Sequence, residues 1–294
     1  MAGGSSFYPQ IQVKTQKFLQ QLYVATGFKY LLFVGDLPEI PMGKYNNDPS
    51  DNFFSCLDGT DNDPDVAMGR FCPKDETDLA HQVAKTLNYY RNPPLDPWVT
   101  KSSLSAHEQE NPGKYTQCSN EIRKYTYRLS PPLFDTCYPP EGATFEKMKA
   151  AYEEGRGIVN YRGHGDETSW SWQLTLNTKN VRTINFGAHT PVVWNICCLN
   201  GAIDSASESM TEAWMSAGAD GKGGAVLNLA ATRPSYTLEN HTYNKLLYQA
   251  MFDQGTFGAG WVVNAAKVGA NALSENGKYN TGIYFILGDP ALDI

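Results

Sequence analysis

A three-layer α/β fold on a mostly parallel sheet is the class this sequence predicts, and three observations predict it. Short apolar runs recur along the chain: KYLLFVGD (29–36), GIVNY (157–161), PVVWNIC (191–197), GGAVLNLA (223–230) and IYFILGD (283–289). Stretches of helical length separate most of them, and strands alternating with helices imply parallel crossovers with helices on both faces. The composition supplies a core, since 41% of the 294 residues are hydrophobic and only 19% charged. That is the balance of a globular chain, not a disordered one.

Taken in order, residues 10–23 carry Ile11, Val13, Phe18, Leu19 and Leu22 at helical spacing. KYLLFVGD is nearly continuous in apolar residues and ends in Gly-Asp, which reads as a buried parallel strand delivering a loop. DVAMGRF (65–71) alternates and predicts a strand. DETDLAHQVAKTLNYY (75–90) opens on acidic residues and carries Leu79, Val83 and Leu87 as a helical stripe. Three prolines in RNPPLDPW (91–98) then break the pattern and place a subdomain boundary, with 1–94 before it and 95–294 after. Beyond it the reading is a strand at 98–105, a helix at about 119–129, a short strand near Cys137 and a helix at 144–154. GIVNY and PVVWNIC follow, then a helix at 206–217, GGAVLNLA, two amphipathic helices and IYFILGD.

The formal charge of -7, with no Lys/Arg-rich run, argues against nucleic acid or an anionic membrane as the main partner. No stretch is long and apolar enough to span a bilayer. The opening MAGGSSFYPQ lacks the basic-then-apolar order of a secretory signal, so the chain is either cytosolic or has lost a signal. The oligomeric state is not legible. Zinc spacings such as CxxC and HExxH are missing. The pairs Cys56/Cys72 and Cys118/Cys137 are either bridges in an oxidising compartment or small buried apolar residues. A phosphate loop, a dinucleotide fingerprint and a GxSxG elbow are absent too.

Ligands of parallel sheets sit at the carboxyl ends of strands, which directs attention to the loops YRGHGDETSW (161–170) and CCLNGAI (197–203). One offers His164 between Gly163 and Gly165, the other a cysteine followed by a turn. A thiol becomes a nucleophile when an imidazole manages its proton. The glycines allow a tight turn and close approach to substrate. The N–H groups of Gly165 and of the cysteine can form an oxyanion hole, where one donor contributes roughly 3–4 kcal/mol. Spacing alone leaves a capping histidine and two core cysteines as an equal reading. Cys197 still lies in strand alternation and reads as buried, whereas Cys198 sits where the strand ends.

A series of segments resembles the gingipain-like cysteine peptidases of family C25, related in fold to caspases and legumain. They are LLFVGDLPEIP (31–41), VAMGRF (66–71), DETDLAHQVAKTLNYYRNPP (75–94), NYRGHGDETSW (160–170), CCLNG (197–201) and LGDPAL (287–292). The resemblance covers roughly 28–292 and implies a caspase-like fold behind a shortened N-terminal α/β subdomain, since only residues 1–28 precede KYLLFVGD. It makes Cys198 the nucleophile and His164 its acid/base, because the family nucleophile precedes a hydrophobic residue and Asn-Gly. It implies Glu121 as the acid receiving a basic P1 side chain, although the family residue is commonly Asp. It further implies Glu108 as an acid near the histidine, with Gln109 and Glu110 as competing placements, and Tyr236 as an aromatic pocket wall.

The expected activity is therefore a cysteine endopeptidase acting on proteins or peptides through a thioester, after Arg or Lys, secreted or periplasmic/cell-surface. No cofactor is required for catalysis. The run DPSDNFFSCLDGTDNDPD (48–65) holds six aspartates and no Lys or Arg. It lacks EF-hand spacing, but the resemblance adds structural calcium as an expectation, with Asp58, Asp61 and Asp63 as candidate ligands. Alternatives are a sortase-like transpeptidase of the same family, a non-catalytic binding or scaffold module retaining the fold, and a carboxylate hydrolase using Asp166 and Glu167.

Overall fold

The computed structural model describes residues 8–37, 39–109, 114–128, 133–170 and 176–294. Helix α1 (Tyr8–Thr26) leads into β1 (Tyr30–Val34). Next comes a hairpin that the apolar pattern does not reveal, β2 (Gly43–Tyr45) and β3 (Asp48–Ser50). It turns on Asn46 and Asn47 at φ 49° and 69°, left-handed values that asparagine tolerates. A short α2 (Asn52–Ser55), β4 (Ala67–Phe71) and α3 (Glu76–Arg91) follow. The Asp75 side chain caps α3 by accepting from the Asp78 N–H.

The remaining elements are β5 (Lys101–Ala106), α4 (Lys114–Ile122), β6 (Leu133–Cys137), α5 (Phe145–Glu154), β7 (Ile158–Arg162), α6 (Thr178–Val181) and β8 (Val192–Ile196). They continue as α7 (Met210–Ser216), β9 (Leu227–Ala231), α8 (Thr237–Phe252), α9 (Ala259–Asn271), α10 (Glu275–Ile283) and β10 (Tyr284–Gly288). Helix α4 thus starts at Lys114 rather than 119. Three helices, not two, precede the last strand. The third, ENGKYNTGI, has almost no apolar stripe. It forms because Ser274 caps it and because Gly277 leaves room for the Ala270 carbonyl, which a Cβ would strike.

Among the described residues, eight strands make one sheet in the order β1-β4-β10-β9-β8-β7-β5-β6. The run β9-β8-β7-β5-β6 is parallel, β1 pairs parallel with β4, and β10 runs antiparallel to β9. Strands from either side of residue 94 share this sheet. β1 is not the buried strand its apolar run suggests. It lies at the edge with one neighbour, and Tyr30, Leu32 and Val34 are 47%, 37% and 45% exposed.

Alternation along β8 shows the three layers. Val192, Trp194 and Ile196 join a core with Leu247 of α8 and Val262 of α9. Val193 and Cys197 join the opposite core with Met148 of α5 and Trp214 of α7. Successive side chains pointing to opposite faces therefore send Cys197 into a core and leave Cys198 at the strand exit.

Candidate active site

β7 and β8 are adjacent and in parallel register, with Arg162 opposite Ile196. Two residues beyond that pair, the chain places His164 on one side and Cys198 on the other. This register brings the two blocks together at one end of the sheet, at the place where strand ends carry chemistry.

The histidine loop is built to hold one shape. Tyr161 Oη donates to the His164 carbonyl at 2.6 Å, and its ring stacks on Trp170 with centroids 4.4 Å apart. Trp170 Nε1 in turn donates to Asn195 Oδ1 of β8 at 2.6 Å. Asp166 closes the turn, accepting from the Thr168 N–H and the Ser169 hydroxyl, each at 2.8 Å. Its carboxylate is therefore engaged in the loop, which weakens the carboxylate-hydrolase alternative. Gly163 and Gly165 have no room for a Cβ: at Gly163 it would meet Tyr161 and His107, and at Gly165 it would lie 2.7 Å from both Cys197 Sγ and the Cys198 carbonyl. The histidine loop thus rests directly on the two cysteines.

His164 is an exposed residue whose imidazole is partly covered by its neighbours. Its Nε2 lies 2.8 Å from Gln109 Oε1 and 3.2 Å from the Tyr115 hydroxyl. An amide oxygen only accepts, so with Gln109 in this orientation Nε2 carries the hydrogen and Nδ1 the lone pair. Partial burial, then the positive neighbours His107, Lys114 and Arg162, hold its pKa below the ordinary 6.5. A ring neutral at neutral pH can accept a thiol proton.

On the cysteine side, Cys197 is fully buried, and burial pushes its thiol well above the ordinary range. Cys198 is half-buried. The chain turns sharply after it: the Asn200 N–H donates to the Cys198 carbonyl at 2.8 Å, with Leu199 at φ 63°. This left-handed conformation is costly for a branched residue and is typical of functional turns. The Asn200 side chain is fully buried and donates to the Asp166 and Ser169 carbonyls at 2.6 and 3.0 Å, tying the cysteine loop to the histidine loop. Gly201 packs against Phe285 and Ala230, 2.7 and 3.1 Å from where a Cβ would sit. The Cys-Leu-Asn-Gly spacing is thus a turn, a tie and a close approach.

The outlying site residues divide. Glu108 lies with one carboxylate oxygen 3.8 Å from His107 Nε2 and raises the His164 pKa; among the described residues of this segment, Gln109 hydrogen-bonds His164 and the His107 ring packs edge-on against it at 5.0 Å. Glu110 falls outside the described residues. Glu121, on α4, is engaged by His241 Nε2 at 3.0 Å and Lys245 Nζ at 3.3 Å, both from α8. Burial works to raise its pKa, yet its hydrogen bonds and electrostatic interactions with His241 and Lys245 outweigh it and hold the carboxyl below its usual value. Tyr236 is 49% exposed, packs on Tyr279 and directly follows Ser235, whose N–H donates to Cys198 Sγ at 3.3 Å.

Several contributors escaped the sequence reading. Arg162 is 1% exposed, yet no carboxylate among the described residues lies within ion-pair distance of it. It donates to the Ile196 carbonyl and to the Thr237 carbonyl and hydroxyl at 3.3, 2.6 and 2.8 Å, and lies over the Tyr115 ring at 4.8 Å. It sat unremarked inside YRGHG. Ser235 and Tyr115 had no signal beyond residue type.

All six cysteines are free. Nor does the 48–65 loop fit a calcium cage as folded. Its carboxylates serve the loop: Asp65 accepts from the Leu57 and Asp58 N–H groups, Asp58 from Gly59, Asp61 from Asp63, and Asp63 from Asn271. Among the described residues, the group that brings three potential ligand atoms together is Asp36, Cys72 and Glu212. There the thiol donates to Asp36 at 2.8 Å, and burial raises the Glu212 pKa to about 7. A sulfur in the set is a poor match for calcium.

Comparison with known proteins converges on one family. The model of peptidase family C25 matches residues 4–294. Gingipain R2 of Porphyromonas gingivalis is 27% identical over 292 residues, covering 94% of this chain and 39% of that protein. Gingipain R1 of the same organism is also 27% identical, over 94% of this chain and 29% of its own length. The chain therefore spans less than half the length of these relatives. A crystal structure of the Arg-specific cysteine proteinase gingipain R superposes with a TM-score of 0.88 at 26% identity, over 95% of this chain and 68% of that one. The separase of a Saccharomyces cerevisiae separase–securin complex aligns with a TM-score of 0.51 at 9% identity, over 76% of this chain and 14% of its own, a likeness of fold alone.

Proposed function

Because the chain belongs to peptidase family C25, we propose that it is a cysteine endopeptidase whose nucleophile is Cys198 and whose acid/base is His164. The observation that supports this is the β7/β8 register, in which Arg162 pairs with Ile196, so that His164 and Cys198 each follow two residues later at the same end of the sheet. In the reaction the Cys198 thiol gives its proton to the imidazole, and the sulfur attacks the scissile carbonyl carbon. The oxyanion is held by the N–H groups of Gly165 and Cys198. The imidazolium returns the proton to the leaving amine as the C–N bond breaks, and water, deprotonated by the same ring, cleaves the thioester. No step uses a metal.

The substrate is a protein or peptide, and cleavage after Arg or Lys is supported by Glu121, a carboxylate that already holds the Lys245 ammonium and the His241 imidazole and would exchange them for a P1 cation. A second reading, cleavage after Asp or Glu, is favoured by Arg162, a buried guanidinium beside the site with no carboxylate partner among the described residues. Fluorogenic peptides differing only at P1 decide between them. Turnover of the Arg peptide that is lost in Glu121→Ala supports the first. Turnover of the Asp peptide alone supports the second. Secretion or cell-surface display goes with the peptidase reading and is tested by fractionating the producing cells. No helix of the described residues is long and apolar enough to cross a membrane.

A further inference from the structure

Cys198 Sγ has a neighbour that the proposed chemistry does not use. Ser235 presents three groups to it: its N–H at 3.3 Å, its hydroxyl oxygen at 3.6 Å and its carbonyl at 3.7 Å. That this hydroxyl accepts on its far side, and so keeps its hydrogen to give away, is set by a buried chain of amides. The Tyr236 N–H donates to Asn280 Oδ1, and the Tyr236 carbonyl accepts from Asn280 Nδ2, both at 2.9 Å. A backbone N–H only donates and a carbonyl only accepts, so the Asn280 amide has one orientation. Its Nδ2 also donates to Asn240 Oδ1 at 2.9 Å, while the one Tyr284 hydroxyl hydrogen is shared between that oxygen at 3.0 Å and the Cys197 carbonyl at 3.2 Å. Asn240 must therefore turn Nδ2 toward Ser235 Oγ, 2.6 Å away. Asn240, Asn280 and Tyr284 are 2%, 0% and 0% exposed, so water does not rewrite this pattern.

With one lone pair of Ser235 Oγ taken by Asn240, its hydrogen is free to be given away. Tyr284 is a competing acceptor, since Ser235 also bonds its hydroxyl. A thiolate is the stronger acceptor because it carries a full charge. We propose that Ser235 is a catalytic residue that stabilises the Cys198 thiolate through its N–H and hydroxyl, and that Asn240 and Asn280 set the direction of that hydroxyl. The proposal rests on Cys198 as the nucleophile. The only bond changed is S–H, whose proton passes to the His164 imidazole. Around the sulfur, Cys197 and Tyr284 are buried and stay protonated. Arg162 interacts with both, and Asp166 with Cys197, so their charges are a constant background across Ser235 variants.

The test is the pH profile of iodoacetamide alkylation at Cys198, read by peptide mass spectrometry on the intact chain, beside peptidase assays. Ser235→Ala keeps the N–H and removes the hydroxyl. Its alkylation midpoint rises by about one pH unit, a roughly tenfold loss of thiolate below the midpoint, with the high-pH plateau unchanged. Ser235→Thr keeps the wild-type midpoint. Asn240→Asp gives the same rise as Ser235→Ala, because a carboxylate takes the hydroxyl hydrogen for itself. A wild-type midpoint in Ser235→Ala overturns the role of the hydroxyl. A wild-type midpoint in folded Asn240→Asp overturns the amide chain. Full peptidase turnover by Cys198→Ala overturns the functional reading instead, and is distinguishable because it leaves the alkylation profile of Cys198 in the other variants as it was.

Discussion

The tie between the two catalytic loops gives a prediction whose sign and order can be worked out. Asn200 Nδ2 donates to the carbonyls of Asp166 and Ser169 at 2.6 and 3.0 Å inside a fully buried site. At about 0.5–1.5 kcal/mol net for each hydrogen bond, Asn200→Ala should cost about 1–3 kcal/mol, and a domain of this size loses about 2–4 °C of Tm per kcal/mol. Asn200→Asp keeps the volume but aims an oxygen at two oxygens. It forfeits both bonds and adds a buried charge, so it should be less stable than Asn200→Ala. Calorimetry gives the Tm order wild type, then Ala, then Asp. Measured well below the lowest Tm, kcat/KM should fall at least tenfold in both variants, equivalent to about 1.4 kcal/mol of lost positioning. An Asn200→Asp variant that melts and turns over like wild type would refute the tie.

Other expectations can be checked alongside it. Lys114 is among the groups that depress the His164 pKa, so the acid limb of kcat/KM should lie below pH 6.5 and move to higher pH in Lys114→Gln. An unmoved limb contradicts this. Gly165→Ala places a Cβ 2.7 Å from Cys197 Sγ and the Cys198 carbonyl. It should destabilise by about 1–3 kcal/mol through overpacking and abolish turnover, whereas an active, stable variant would show that the loops do not touch. Cys197→Ala should keep most of the activity, and mass spectrometry should find Cys197 unmodified in native protein after brief alkylation, because its thiol is buried and protonated.

The parts legible in the sequence were those written in short-range pattern. GIVNY and PVVWNIC are central strands buried along their length, and such strands read as unbroken apolar runs. Their neighbouring places follow from the rule for parallel crossovers. Position in the sheet is not written there, which is why KYLLFVGD passed for a buried strand although it lies at the edge. Helix α10 was missed because what holds it is a glycine against a carbonyl and the Asn280 amide network, neither visible as periodicity. At the site, His164 and Cys198 were marked by glycines and by a strand end. Glu108 was an expectation from the resemblance with Gln109 and Glu110 as competing placements, and among the described residues of that segment Gln109 is the one hydrogen-bonded to the histidine. Ser235, Asn240 and Asn280 matter through which atom donates to which, and that depends on side chains meeting from three separate stretches of chain.

The central claim is that Cys198, served by His164, forms the covalent intermediate. Its most direct test is intact-protein and peptide mass spectrometry after acid quench during turnover of a slowly hydrolysed peptide ester. The expected result is one acyl group on Cys198 in the wild type. None should form in Cys198→Ala or His164→Ala, and Cys197→Ala should be acylated like the wild type. An acyl group on Cys197 or on any other residue, or undiminished turnover by Cys198→Ala, would contradict the account.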